Sequence, residues 1–206
     1  MSNYLKAEKS RADVSLAKQV AKIGVLSACA IILMYLDFPI PLMPPFLKFD
    51  FAEVPALLGA FSLGPVAGVL IELIKNLAHL PVSSTGFVGE LANFLVCGGF
   101  VLVAGLMYKQ RHTIRQAVFA LLSATVAMAI IGVVCNYYIN LPFYINVMGF
   151  DMDKIIGITN GVGNTLVHDM FTFLLWVIVP FNLIKGLLTS LIIGLIYKRV
   201  SPLLHN

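Results

Sequence analysis

Charge is scarce in this sequence. Charged residues make up 12% of the 206 positions and hydrophobic residues 59%, where a soluble domain carries roughly 25% charged. That balance excludes an ordinary soluble domain and leaves an integral membrane protein. The excess of 14 basic over 10 acidic residues is no nucleic-acid signature, because the basic residues sort by topology. Cysteine is scarce too. Cys29, Cys97 and Cys135 are odd in number and lie within apolar runs, so they read as packing residues and not as a disulfide framework. Catalytic signatures are also missing. The chain has no P-loop, no GxSxG, no paired-carboxylate motif and no His/Cys cluster at metal-ligand spacing. No catalytic residue, metal or cofactor is expected. His168-Asp169 could be a base with an orienting acid, but no nucleophile is placed for it, and a capped or snorkelling pair accounts for it.

What remains is a series of apolar runs with room for about five to seven spans of ~20 residues each. Residues 1–16 form a polar, basic tail, with Lys6, Lys9 and Arg11 against Glu8 and Asp13, and Lys18 and Lys22 follow. The tail should stay cytoplasmic. The first span begins near Ala17 and ends at Leu36. No small-x-small cleavage site precedes Pro39-Ile40-Pro41, so the span is read as retained and not as a signal peptide. Within it, Gly24 and Ala28 form a small-xxx-small pair that lets another helix approach closely.

Residues 37–50 (DFPIPLMPPFLKFD) cannot be helix, with four prolines in fourteen residues. The stretch is too apolar for a solvated loop. With Met43, Phe46, Leu47 and Phe49 it should fold back as a lid or wall. Residues 51–80 admit one kinked span or two short helices broken at Gly64-Pro65, and the residues favour neither. Val88 to Tyr108 is a span with Glu90 and Asn93 near its start. A basic loop follows (KQRHTIR), then a span from Gln116 to Cys135, then an aromatic, polar stretch over 136–153. Residues 164–179 are apolar and closed by Pro180. The last span, Leu187 to Tyr197, is entered through Pro180-Phe181-Asn182-Leu183-Ile184-Lys185-Gly186, which sets an amide and an ammonium about one turn apart at a helix entrance. A lysine there is costly unless it snorkels, pairs or faces a polar cavity.

Two six-span arrangements fit. Either 51–80 forms two spans and the segment 150–179 is extracellular or re-entrant, or 51–80 is one span and 164–179 another. Both leave each terminus in the cytoplasm. The cluster Lys109, Arg111 and Arg115 decides for the first, because the positive-inside rule acts most strongly in a short loop. The reading is therefore a single all-α membrane domain over residues 1–206, with six transmembrane helices and a long ordered first extracellular loop. One extracytoplasmic pocket results. Asn136, Asn182 and Lys185 are its polar floor, Asn93 and Glu90 lie near, and loop 37–50 covers it. Asparagine reads alternating donors and acceptors, and lysine suits a carbonyl or an anion. Phe46, Phe49, Tyr137, Tyr138, Phe143, Tyr144 and Trp176 could sandwich a flat ring or form an interfacial belt.

The runs FPIPLMPPFLKFDFAEVPALLGAFSLGPVAG, NYYINLPFY and PFNLIKG resemble the riboflavin-binding S components of energy-coupling factor (ECF) transporters, over nearly the whole chain from Lys22. The resemblance implies six helices, broken second and third helices, and an outward site under the first loop. It implies riboflavin as transported ligand, with Asn136, Asn182 and Lys185 as polar contacts and Leu47, Phe49 and Asp50 as first-loop contributions. It implies partners as well: membrane lipid, a transmembrane coupling protein (T component) that packs on Gly24 and Ala28 of the first helix, and two cytoplasmic ATPases. Rival readings are an S component for another vitamin, a small membrane enzyme or scaffold using His168 and Asp169, and a stand-alone transporter. The last is disfavoured by the lack of a visible inverted repeat.

Overall fold

A computed structural model describes the backbone of residues 2–204 and the side chains of residues 15–197. The fold is all-α. Helix α1 (Ser2–Tyr35) runs into a two-residue antiparallel ribbon, β1 (Phe38–Pro39) with β2 (Lys48–Phe49), and then α2 (Glu53–Leu63), α3 (Pro65–His79), α4 (Val88–Tyr108) and α5 (Ile114–Cys135) follow. A π-turn (Asn136–Asn140) leads into α6 (Leu141–Asn146). Helices α7 (Met152–Gly161) and α8 (Met170–Phe173) come next, and a second π-turn (Leu174–Ile178) runs into α9 (Val179–Leu204). The backbone of α1 extends through the expected basic tail, whose first fourteen side chains lie outside the described residues.

Among the described residues five helices are long and apolar enough to cross a membrane, and Glu53–Leu63 is a shorter apolar helix. The exposed side chains fit that environment. Val118, Leu122, Val126, Ile130 and Val134 recur every fourth residue along α5 and are all exposed, an apolar stripe facing lipid, not water.

The two readings of residues 51–80 separate here, in favour of two helices. Gly64 has φ 104° and ψ 165°, a conformation that a Cβ all but forbids, and Pro65 starts the next helix with its ring already at helical φ. Helix α2 has 11 residues and rises only about 16 Å at ~1.5 Å per residue. It is short for a bilayer, and it is shielded, with Glu53, Pro55, Ala56, Leu57, Gly59, Ala60 and Phe61 all buried. The hairpin turns at Gly64, so residues equidistant from it meet, and Glu53 reaches Lys75.

The main core is built from small residues (Ala30, Ala56, Ala60, Ala104, Ala120, Ala124) around Phe100, Tyr108, Met128 and Ile193. Helices in lipid gain little from hydrophobicity and associate by close packing, which small side chains permit. A second cluster joins Met43 of loop 37–50 to Ile155, Val167, Phe173, Val177 and Phe181. The segment after Phe150 therefore packs under the first loop.

Pro180 was expected to close one apolar segment before the last span. Instead, Met170–Tyr197 is one continuous helical span of 28 residues, and residues 170–179 are its first turns. The preceding π-turn loosens the backbone register just before the proline. The carbonyl that Pro180 leaves without a helical donor, that of Trp176, accepts a hydrogen bond from Asn164 Nδ2 at 3.3 Å. Pro142 sits the same way behind the first π-turn, and Ile114–Asn146 likewise stays continuous.

Candidate functional site

Beneath loop 37–50 lies a cavity of about 140 Å³, walled by α4, the α5 π-turn and the start of α9. Phe46, Leu47 and Lys48 come from the loop, Asn93 and Cys97 from α4, Asn136 and Asn140 from the π-turn, and Phe181, Asn182 and Lys185 from α9. Continuous helices across both prolines bring the last two sets together. Asn136 and Asn140, four residues apart, lie on the same side of the helix, about one turn apart.

The asparagines are oriented by their own helices. Asn136 Nδ2 donates to the Gly132 carbonyl at 2.9 Å, Asn182 Nδ2 to that of Ile178 at 2.8 Å, and Asn140 Nδ2 to Asn136 Oδ1 at 3.2 Å. Each of these amides keeps a second N–H. Asn140 Oδ1 and Asn93 Oδ1 are enclosed without a partner among the described residues, so the cavity presents acceptors to a ligand's N–H or O–H groups. Close approach of α5 to α9 depends on Gly132, where a Cβ would stand 2.5 Å from Asn182 Nδ2.

Lys185 is fully buried. Its ammonium contacts Asp50 Oδ2 at 3.0 Å and Glu53 Oε1 at 3.1 Å, which satisfies the pairing that a lysine at this depth requires. It also lines the cavity. An ammonium has three protons, and the two carboxylates leave one for a ligand. Asp50 itself does not line the cavity. It sits behind Lys185, and its Oδ1 accepts from the Ala52 N–H at 2.8 Å, fixing the loop to the start of α2.

Other expected residues are placed differently. Phe49 is enclosed by Phe38 and Phe51, with ring centroids 5.3 and 4.9 Å away; the ribbon pairs it with Phe38, whose exposed ring lies beside it. Glu90 is drawn away from the cavity by donors at the α3–α4 turn, with His79 Nδ1 at 2.9 Å, Ser83 Oγ at 2.7 Å and Thr85 Oγ1 at 3.3 Å. Of the candidate aromatics, Phe46 and Tyr144 line the cavity, while Tyr137, Tyr138 and Trp176 are exposed. Gly24 and Ala28 lie on the exposed side of α1, and nothing among the described residues stands within 4 Å of a Cβ built at Gly24.

His168 and Asp169 form no catalytic pair. Asp169 caps α8, accepting from the Thr172 N–H at 2.7 Å and hydroxyl at 2.8 Å, and these bonds hold its carboxyl below the ordinary aspartate range. The sequence reading missed Glu53, Glu72 and Lys75, all fully buried. The available signal was three charges in an otherwise apolar stretch, two of them equidistant from Gly64.

The model of the family "ECF transporter, substrate-specific component" matches residues 18–197. This chain belongs to that family. It is a component of a multi-pass membrane transporter that works with an energizing module, and not an enzyme. Its relatives include the riboflavin transporter RibU of Staphylococcus aureus (36% identical over 92% of this chain and 93% of that protein) and the riboflavin transporter FmnP of Bacillus subtilis (32%, over 90% and 93%). Among solved structures, the S component of a bacterial ECF transporter superposes with a TM-score of 0.72 at 34% identity, over 93% of this chain and 99% of that one.

Proposed function

We propose that this S component captures riboflavin from outside the cell in the cavity under loop 37–50. The observation that carries the reading is the convergence of acceptor amides (Asn93, Asn136, Asn140, Asn182) and the Lys185 ammonium with Phe46, Tyr144 and Phe181 in one cavity, in a chain whose relatives are riboflavin transporters. A flavin ring has flat faces for the aromatics, an imide N–H for an amide oxygen and carbonyls for the ammonium. Leu47 closes the cavity from the loop. Phe49, Asp50 and Glu90 act by holding the loop, Lys185 and the α3–α4 turn in place.

The loaded protein then docks on a transmembrane coupling protein driven by two cytoplasmic ATPases. The exposed small pair Gly24 and Ala28 supports α1 as the docking helix. Both termini and the Lys109–Arg115 loop are cytoplasmic in this reading.

The deciding experiment is an absorption spectrum of protein purified in detergent from cells grown with riboflavin. Near one flavin per chain, released on denaturation, is the expected result. A colourless protein that also fails to quench riboflavin fluorescence would exclude the flavin assignment and leave an S component for another substrate.

A further inference from the structure

Three carboxylates and two ammonium groups are enclosed together between α2, α3, α4 and α9. Lys185 bridges Asp50 and Glu53 as described. Lys75 Nζ lies 2.7 Å from Glu53 Oε1 and 2.9 Å from Glu72 Oε2. The side chains of Glu53, Glu72 and Lys75 have 0% exposure. With every group ionised, one negative charge is unmatched inside a bundle surrounded by lipid. An isolated buried charge is escaped by neutralising a group, not by tolerating it.

A separate observation locates the neutral group. Glu53 Oε2 and both carboxyl oxygens of Glu72 are enclosed and without a hydrogen-bond partner among the described residues, Glu72 Oε2 having only its ion-pair contact with Lys75. One carboxylate oxygen of each residue lies within 4.8 Å of the other's and of Cys97 Sγ. Ionised carboxylates only accept, so neighbouring acceptors on the two residues lack donors. One proton removes the surplus charge and gives the pair an O–H donor, as when two carboxyls share a buried site. We propose that Glu53 and Glu72 form a buried proton-binding site, with the proton carried on Glu72.

Glu72 is the carrier because the other two carboxylates are better held as anions. Glu53 Oε1 faces both ammonium groups, and Asp50 has Lys185 and the Ala52 N–H. Glu72 has Lys75 alone. The titratable or charged groups around it are Glu53 from α2, Lys75 on its own helix, Cys97 from α4, and Lys185 from α9 with Asp50 behind it. Helix α1 also packs on α3. The proton makes the network neutral, so Lys185 is held by Asp50 and Glu53 without a surplus carboxylate competing for it.

The sign of the pH effect follows from linkage. A glutamate in the unfolded chain ionises near about 4.3. The folded protein therefore binds one proton more than the unfolded chain above that range, and its stability falls as pH rises until Glu72 ionises. Glu72→Gln mimics the neutral acid and keeps an N–H donor for Glu53. It should preserve folding and ligand binding and remove that pH slope. Glu53→Gln takes away the anion that both lysines face and should lower the melting temperature and weaken binding.

The test is infrared spectroscopy with thermal unfolding, neither of which uses the ligand, so it stands or falls apart from the riboflavin reading. At neutral pH the wild type should show a protonated-carboxyl stretch that Glu72→Gln lacks. Absence of that band from the wild type overturns the proposal, even if the variant does not fold. So does a Glu72→Gln protein as damaged as Glu53→Gln. A melting temperature that rises when sodium replaces choline at constant ionic strength also overturns it, by putting a metal ion where the proton is placed.

Discussion

Lys185 shows how one side chain serves both fold and site. It is a full charge at 2% exposure, tolerable because two carboxylates face it, and it lies on the wall of the cavity. Breaking a buried pair from one side strands the partner, at a cost of about 3–5 kcal/mol. Lys185→Met should therefore lower stability in detergent and weaken the proposed flavin binding together, measured by melting temperature and fluorescence quenching. A variant that melts like the wild type and binds equally well would show that neither the fold nor the site depends on the Lys185 charge. Gly132 is the opposite case, important for what it lacks. Gly132→Ala pushes a methyl group against the Asn182 amide, an overpacking worth about 1–3 kcal/mol. If Asn182 reads the ligand, affinity should drop, while Gly99→Ala, which crowds only the Ile131 side chain, should leave it unchanged.

Two helical elements turn on proline, with opposite outcomes. At Gly64-Pro65 the chain reverses, because glycine supplies a backbone angle that other residues resist. Gly64→Ala should cost about 1–3 kcal/mol, seen as a lower melting temperature. No loss would mean that the turn adopts another geometry. At Pro180 the helix continues, because the π-turn and the Asn164 amide deal with the missing donor. Asn164→Leu removes the part-buried bond to the Trp176 carbonyl, a loss of about 0.5–1.5 kcal/mol. Adding Pro180→Ala supplies a helical N–H to the same carbonyl and should recover part of that loss. A double variant no more stable than Asn164→Leu would show that the amide matters for its contact with loop 37–50 at Leu42 instead.

On the scale of the molecule, the topology proposed here sets Lys109–Arg115 in the cytoplasm and the 150–169 segment outside. Single cysteines at Gln110 and Thr165, both exposed, test it with a membrane-impermeant thiol reagent on intact cells. Thr165→Cys should react and Gln110→Cys should not. The reverse pattern would invert the protein and move the cavity to the inner face.

What the sequence determined by itself is whatever depends on composition and local order. Low charge and long apolar runs specify an all-α membrane protein. Four prolines exclude a helix from 37–50, and PFNLIKG places an amide and an ammonium one turn apart. Asn136, Asn182 and Lys185 were nameable for that reason, since polar groups near span ends are few. The tertiary structure alone decided which charges meet. Glu72 and Lys75 sit three apart on one helix, a spacing that pairs locally, but Glu53 carried no local sign of joining them, because its distance to Lys75 depends on a hairpin closing at Gly64. It also decided that Pro180 does not end a helix. A proline's effect depends on whether something else satisfies the freed carbonyl, and Asn164, in the loop that precedes the helix and turned back onto it by the fold, does so.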